Sequence, residues 1–262
     1  MKAIHEARAF NDAANAENRI HSDEIARQYG FEGALVSGAL VFGYMTYPPM
    51  KALGETWLTN NSVEVRFLSP AYDGEMLTIE MEGDETGLTV DCFNYVKTTL
   101  ASLLSRPGTG APSDSASIQP ALEELPRIEI GWNALEIGKP APVYFQEVDT
   151  ATNLAVAAAL EDDLEIYHGK GAIVHPHWIM QECNEAFMRS YILPAWMHVG
   201  SKIRFHRPLR TGEQVETRMI PVSKWEKNGH QFTTLYLAFL VDGEVRVEAE
   251  HTSIFRIAPR RG

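Results

Sequence analysis

Histidines beside carboxylates and an amide mark two places in this chain where protons could be transferred. The first segment reads Asn18-Arg19-Ile20-His21-Ser22-Asp23, and the second reads Asp162-Asp163-Leu164-Glu165-Ile166-Tyr167-His168. A further histidine, His175, lies shortly after the second segment and directly before a proline. Because histidine titrates near neutral pH, each place could supply a general acid or base.

The elements that position these segments occur twice. Residues 66–75 read Arg-Phe-Leu-Ser-Pro-Ala-Tyr-Asp-Gly-Glu, and residues 204–213 read Arg-Phe-His-Arg-Pro-Leu-Arg-Thr-Gly-Glu. The same offset of 138 residues relates Gly33-Ala34-Leu35-Val36 to Gly171-Ala172-Ile173-Val174. This spacing exceeds the roughly 20–50 residues of a solenoid repeat, so it indicates a duplicated domain. Two such copies usually pack as a homodimer would, which predicts a pseudo-dimer with its site between the halves.

The linker between the copies is predicted from composition. Residues 106–120 are dominated by Pro, Gly, Ser and Ala, with little to bury. We therefore expect a first domain over 1–105, a linker over 106–124 and a second domain over 125–262.

Each copy shows the same order of secondary-structure signals. A short Ala-rich helical stretch is predicted over Ala7–Asn15 and again over Asn153–Leu160. A longer apolar helix is predicted over Ser37–Leu53, interrupted by Pro48-Pro49, and another over Pro176–Leu193. Strands follow these helices, at residues 62–68, 77–82, 201–206, 214–220, 233–241 and 244–257. The last two flank Asp242-Gly243, a strong hairpin signal. A long helix followed by an antiparallel meander indicates an α+β double hot-dog, with two antiparallel sheets each wrapped around a central helix.

The first segment, with its continuation through Ala26, Gly30-Phe31 and Leu35-Val36-Ser37-Gly38, resembles the MaoC-like, R-specific enoyl-CoA hydratase family. That family's signature is Asp-x-Asn-Pro-x-His-x-Asp, then Ala, then Gly-Phe, then Val-His-Gly at the start of a helix. The resemblance is close over residues 10–43 and extends to the Arg-Phe-x-x-Pro-x-x-x-Gly motif of both copies. It implies an acyl-thioester hydratase or dehydratase, a lyase that adds water reversibly to a 2-enoyl-CoA-type substrate without a cofactor.

Carried over by position, the resemblance makes His21 the acid/base, Asn18 its partner in the loop, and Gly38 the backbone donor to the thioester carbonyl. Asp23 and Ser37 are further substrate-binding candidates.

Two positions depart from the family pattern. The family's catalytic Asp lies five residues before the His, where this chain has Ala16, and Ser37 replaces the His of Val-His-Gly. Asn15, Glu17 and Asp23 are the candidates to take the place of the missing carboxylate.

The second copy keeps other parts of the pattern. Asp163 and His168 have the family's Asp-to-His spacing, as do Asp162 and Tyr167, and His175 occupies the Val-His-Gly position. We therefore expect catalytic roles for Asp162, Asp163, His168 and His175, and a substrate-binding role for Tyr167. Which half holds the working site stays open.

The expected partner is an acyl-CoA or acyl-carrier-protein thioester. Arg66 and Arg204 begin the repeated strand motif and could pair with CoA phosphates. Two alternatives remain. The first is an acyl-CoA thioesterase that uses Glu182 or Glu185 of the second long helix. The second is an acyl-thioester-binding protein without catalysis, which the loss of the carboxylate at Ala16 would suit.

Composition bounds the remaining classes. The 262 residues carry a net charge of −12, which argues against a nucleic-acid partner, and no apolar run reaches the roughly 18 residues of a membrane span. The N-terminal residues contain no apolar core of a signal peptide, and the two cysteines lie in different copies, so a reduced cytoplasmic location is expected. No metal site is expected, because no cysteine joins the histidines. A homo-oligomer stays possible.

Overall fold

The computed structural model describes residues 1–13, 16–117, 119–121 and 125–258. The helices of this part are α1 Asp23–Gln28, α2 Gly38–Leu53, α3 Thr150–Ala159 and α4 His177–Ser190. Its strands are β1 Lys2–Arg8, β2 Asn61–Phe67, β3 Met76–Asp84, β4 Gly87–Phe93, β5 Thr99–Pro107, β6 Ile128–Glu129, β7 Tyr144–Glu147, β8 Tyr191–Ile192, β9 Met197–Phe205, β10 Gln214–Lys227, β11 His230–Val241 and β12 Glu244–Arg256. No helix in the described ranges is long and apolar enough to cross a membrane.

Ten of the strands form one sheet in the order β1-β3-β4-β5-β2-β9-β12-β11-β10-β7. The two halves of this order mirror each other, so that β1, β3, β4, β5 and β2 correspond to β7, β10, β11, β12 and β9. The halves join where β2 pairs antiparallel with β9, with Asn61 opposite Phe205 and Arg66 opposite Gly200. This symmetry confirms the predicted duplication and the α+β double hot-dog fold.

The two long helices pack against each other, and their buried side chains share one core with those of the sheet. Helix α2 is buried over most of its circumference, from Ala39 through Met50, as expected for a helix that the sheet wraps. Its predicted bounds are confirmed to within one residue, but the predicted interruption is wrong, because Pro48 and Pro49 lie inside a continuous helix. The second long helix, α4, is shorter than predicted and ends at Ser190, where the chain turns into β8.

The predicted helix over Ala7–Asn15 is wrong. Ala7 belongs to strand β1, where it pairs with Leu77 of β3, and the described residues up to 13 form no helix. Residues 14 and 15 lie outside the described part of the chain. The alanines of β1 point inward on alternate positions of an edge strand, so burial on one face outweighs their helix propensity. The equivalent prediction in the second copy, Asn153–Leu160, is confirmed by α3.

The linker follows the face of the sheet that points away from the helices. The backbone N–H of Ser113 donates to the buried Glu248 carboxylate at 2.8 Å, and the Arg218 guanidinium donates to the Ala116 carbonyl at 3.0 Å. The described part of the linker is therefore fastened to the second half. Residues 118 and 122–124 lie outside the described residues.

Candidate functional site

A cavity of about 250 Å³ lies between the two halves, beside the first histidine segment. Its first-half wall comes from the loop before α2, the start of α2 and the chain after β2. Its second-half wall comes from α4 and the beginning of β9. The lining residues are Asn18, Ile20, His21, Phe31, Leu35, Val36, Ser37, Gly38, Val41, Phe67, Leu68, Ser69, Pro70, Ala71, Asn184, Trp196, Met197, His198 and Val199. We call it the His21 cavity.

The hydrogen bonds of His21 fix its tautomer. Its Nδ1 lies 2.7 Å from the Leu35 carbonyl oxygen, which can only accept, so Nδ1 carries the proton. Its Nε2 is then an acceptor and receives a long bond of 3.3 Å from the amide of Asn18. Burial lowers the pKa of His21 below its usual range, so the imidazole is neutral at neutral pH. A neutral ring with a lone pair on Nε2 is suited to act as a general base.

Asn18 holds the two halves together at this point. Its side-chain oxygen accepts the backbone N–H of Trp196 at 3.1 Å, and its amide nitrogen donates to the Trp196 carbonyl at 3.1 Å. The residue is buried, and its oxygen also receives the N–H of Ile20, which caps the short helical turn that carries His21. The same side chain thus positions His21 and docks the second half against the first.

The start of α2 forms the floor of the cavity. Ser37 caps the helix, its hydroxyl accepting the N–H of Leu40 at 3.2 Å, while Gly38 is the first helical residue. The backbone N–H of Gly38 has no hydrogen-bond partner within the described residues. An added Cβ at Gly38 would lie 3.1 Å from Nδ1 of His198 and 3.2 Å from the Phe67 ring. A free N–H at the positive end of a helix can stabilise a developing oxyanion.

Sequence reasoning missed the second-half wall, above all His198 and Asn184. The buried Oδ1 of Asn184 and the buried Nδ1 of His198 have no partner among the described residues. The only signal available was the duplication itself, which brings β9 beside β2 and so beside the loop of the first copy.

A carboxylate near His21 was missed as well. Burial lowers the pKa of His21, and the charge of Asp12 opposes this larger effect by raising it. The charge of His21 in turn lowers the pKa of Asp12. Loss of hydration is the larger effect on Asp12 and raises its pKa. Asp12 does not line the cavity.

The second-half segment is closed. His175 and Asp162 are buried and pair at 3.2 Å, and His175 also accepts the N–H of His177 at 3.2 Å. The Tyr167 ring packs 4.6 Å from His175, and its buried hydroxyl has no partner in the described part of the structure. These side chains come together as the spacing suggested, yet none of them lines the His21 cavity.

The structure does not bring Asp163 and His168 together. Asp163 accepts a hydrogen bond of 2.9 Å from the Tyr47 hydroxyl, and His168 lies 3.4 Å from the Glu165 carboxylate. Both residues are exposed. Neither residue lines the His21 cavity.

Three predicted substrate contacts also lie elsewhere. Asp23 braces its own loop, accepting the Ala34 N–H at 2.8 Å and pairing with Arg27, and these contacts lower its pKa. The guanidinium of Arg66 pairs with Glu64, and that of Arg204 pairs with the buried Glu248 at 2.9 Å. Both arginines lie on the face of the sheet opposite the core.

The carboxylates considered for hydrolysis do not reach the cavity either. Glu182 is buried and paired with Arg189 and Gln146, and burial raises its pKa. Glu185 contacts Gln181 one turn away. Among the described residues, no group of three or more His, Cys, Asp or Glu side chains converges as a metal site.

Solved structures share this fold over the whole chain. A protein named as a MaoC domain dehydratase from Chloroflexus aurantiacus J-10-fl is 13% identical, with a TM-score of 0.65, covering 100% of this chain and 95% of that one. A Mycobacterium tuberculosis protein with a double hot-dog fold is 12% identical, with a TM-score of 0.63, covering 96% and 95%. A protein named as an oleoyl thioesterase from Lactobacillus plantarum is 12% identical, with a TM-score of 0.57, covering 99% and 96%.

No family model and no curated protein matches the chain. At these identities, the likeness shows the fold alone. The chain therefore has the double hot-dog fold, which it shares over its full length with MaoC-like dehydratases and with thioesterases.

Proposed function

We propose that this protein is an acyl-thioester hydratase or dehydratase that works in the His21 cavity. The observation that carries the proposal is the pairing, in one cavity, of a neutral imidazole with its lone pair on Nε2 and a free N–H at the start of α2. Water addition to a double bond conjugated with a thioester needs both of these groups, a base for the water and a donor for the enolate oxygen.

The chemistry can run on one imidazole. Nε2 of His21 takes a proton from water as its oxygen bonds to Cβ of the enoyl group. The electron pair of the double bond moves onto the thioester oxygen, where the Gly38 N–H stabilises the negative charge. The imidazolium then returns its proton to Cα, the carbonyl reforms, and one molecule of water has been added. His21 serves as both base and acid here because Ala16 cannot supply a second proton-carrying group.

The cavity wall fits an acyl chain. Apart from His21, His198 and the polar groups of Asn18, Asn184, Ser37 and Ser69, the lining side chains are aliphatic or aromatic. Such a lining holds a hydrocarbon chain, while the few polar groups orient its thioester. The substrate we propose is a 2-enoyl or 3-hydroxyacyl thioester of CoA or of an acyl-carrier protein.

An absorbance assay with crotonyl-CoA and a longer 2-enoyl-CoA tests the proposal. We expect loss of the enoyl-thioester absorbance with wild-type protein, and a rate lower by about 10²- to 10⁴-fold for His21→Ala, the usual contribution of a general base. His230→Ala is the matched control, because that ring lies at the start of β11 and does not line the cavity. Lack of turnover by the wild type with every chain length, in both directions, would refute the proposal.

A non-catalytic acyl-thioester-binding role is the second candidate. It is favoured by one observation, that Ala16 stands where the family resemblance places a carboxylate. Saturable binding of crotonyl-CoA without turnover, and unchanged by His21→Ala, would support this role.

A further inference from the structure

A chain of buried polar groups runs behind the wall of the His21 cavity. Nε2 of His198 lies 2.9 Å from the Ser201 hydroxyl, and that hydroxyl lies 3.2 Å from Nδ1 of His251. The two imidazole rings stack with their centroids 3.9 Å apart. The three residues come from β9 and β12 of the second half, whereas the helix start that they face belongs to the first half.

The free end of this chain points at the start of α2. Nδ1 of His198 is shielded from solvent and has no partner at hydrogen-bond geometry among the described residues, while the Gly200 backbone lies close enough to the ring to raise its pKa against the larger effect of burial. It lies 3.1 Å from the place that a Cβ on Gly38 would occupy. An unpartnered buried nitrogen is costly unless something completes its hydrogen bonding. The nitrogen therefore lies beside the first residue of α2, whose N–H is free.

The hydrogen bonds of the Ser201 hydroxyl decide whether Nδ1 of His198 carries a proton or a lone pair. The Ser201 hydroxyl has one hydrogen, which it gives either to one imidazole, while accepting an N–H from the other, or to Sδ of Met180 at 3.5 Å. When His251 donates from Nδ1 and Ser201 donates to Nε2 of His198, the remaining proton of His198 is on Nδ1, facing Gly38. The opposite direction, or donation from Ser201 to Met180, leaves a lone pair there. An acceptor oxygen bound beside Gly38 stabilises the first arrangement.

We propose that His198 donates a hydrogen bond from Nδ1 to the thioester carbonyl oxygen, next to the Gly38 N–H, and that Ser201 and His251 set this tautomer. The inference rests on the proposed acyl-thioester function and adds a substrate-contacting residue from the other half. The oxyanion site then requires both halves of the duplication, since each contributes one donor.

The charge state of the ring agrees with this role. Burial lowers the pKa of His198 to about 3 and holds that of His251 well below its usual range. Both rings are therefore neutral at neutral pH. A neutral imidazole can polarise a carbonyl without bringing a charge into an apolar cavity.

Isotope-edited infrared spectroscopy of bound [1-¹³C]butyryl-CoA, a saturated thioester that cannot be hydrated, tests the proposal directly. We expect the carbonyl band to shift to lower frequency in the wild type. The shift should shrink in His198→Leu and persist in His198→Asn, because the Asn amide can place a donor near the former Nδ1. With crotonyl-CoA, His198→Leu should lower kcat by roughly 10²- to 10³-fold and change KM little, as expected for loss of one oxyanion donor.

A second measurement does not depend on how the variants fold. In wild-type protein labelled with ¹⁵N-histidine and saturated with butyryl-CoA, NMR should show His198 protonated on Nδ1 and not on Nε2. Protonation of His198 on Nε2 alone would overturn the proposal. A folded His198→Leu protein with the carbonyl shift and the kcat of the wild type would overturn it as well. If the wild type neither binds nor hydrates a thioester, the proposed function itself fails.

Discussion

Replacing Asn18 with Ala tests whether one side chain both docks the halves and orients the base. The substitution removes the acceptor for the Trp196 N–H and the donor to the Trp196 carbonyl, each at 3.1 Å. It also removes the cap on Ile20 N–H and the donor to His21 Nε2. Asn18 is 4% exposed, so the freed backbone groups have little access to water.

The magnitude follows from these contacts. Each of the two short bonds to Trp196 contributes about 1 kcal/mol, and a buried group left without a partner costs about 1–3 kcal/mol. Because water partly reaches the freed groups after truncation, the expected loss in the free energy of unfolding is about 2–4 kcal/mol. For a domain of this size, 1 kcal/mol shifts Tm by about 2–4 °C, so a fall in Tm on the order of 5–15 °C is expected.

Thermal unfolding followed by circular dichroism measures this change. Asn133→Ala is the matched control, because Asn133 is exposed in a turn and forms no hydrogen bond within the described ranges. Its effect should stay within about 0.5 kcal/mol. An Asn18→Ala protein as stable as this control, with unchanged turnover, would refute both roles of Asn18, the docking of the two halves and the positioning of His21.

Three further predictions concern the reaction. Gly38→Pro, which lacks the N–H but suits a first helical position, should lower kcat for crotonyl-CoA by about 10²- to 10³-fold relative to Gly38→Ala, which adds a Cβ but keeps the N–H; equal rates would exclude this N–H as a donor. Because burial lowers the pKa of His21 and the base must be neutral, kcat/KM should stay level through neutral pH and fall only below the ordinary histidine value of 6.5; a fall centred above it would assign the limb to another group. If His21 handles both protons, hydration in D₂O should add the hydroxyl group at Cβ and the deuterium at Cα to the same face of the double bond. If NMR of the product shows addition to opposite faces, a second acid is required.

The sequence was sufficient for the duplication, the sheet and the first-half loop. The 138-residue offset from Arg66 to Arg204 corresponds to the pairing of β2 with β9 in the structure. His21, Asn18, Ser37 and Gly38 were brought together as expected because they lie on one loop and the helix that follows it. Local spacing carries such information.

The rest depended on contacts that spacing does not encode. Arg66 directly precedes the cavity-lining Phe67, yet successive residues of a strand point to opposite faces. Arg66, and Arg204 at the equivalent position of the second copy, therefore point away from the site. Asp163 and His168 have suitable spacing, but both are exposed and each has a different partner, Tyr47 for Asp163 and Glu165 for His168. His198 belongs to another half, and its neighbour Gly38 is 160 positions earlier in the chain, so only the tertiary structure places them together.

The most direct test is the hydration of crotonyl-CoA by the wild type, His21→Ala and His168→Ala, measured side by side by absorbance. We expect turnover by the wild type, loss of about 10²-fold or more in His21→Ala, and retained turnover in His168→Ala. Retained turnover in His21→Ala with loss in His168→Ala would place the chemistry in the second half and refute the role of His21.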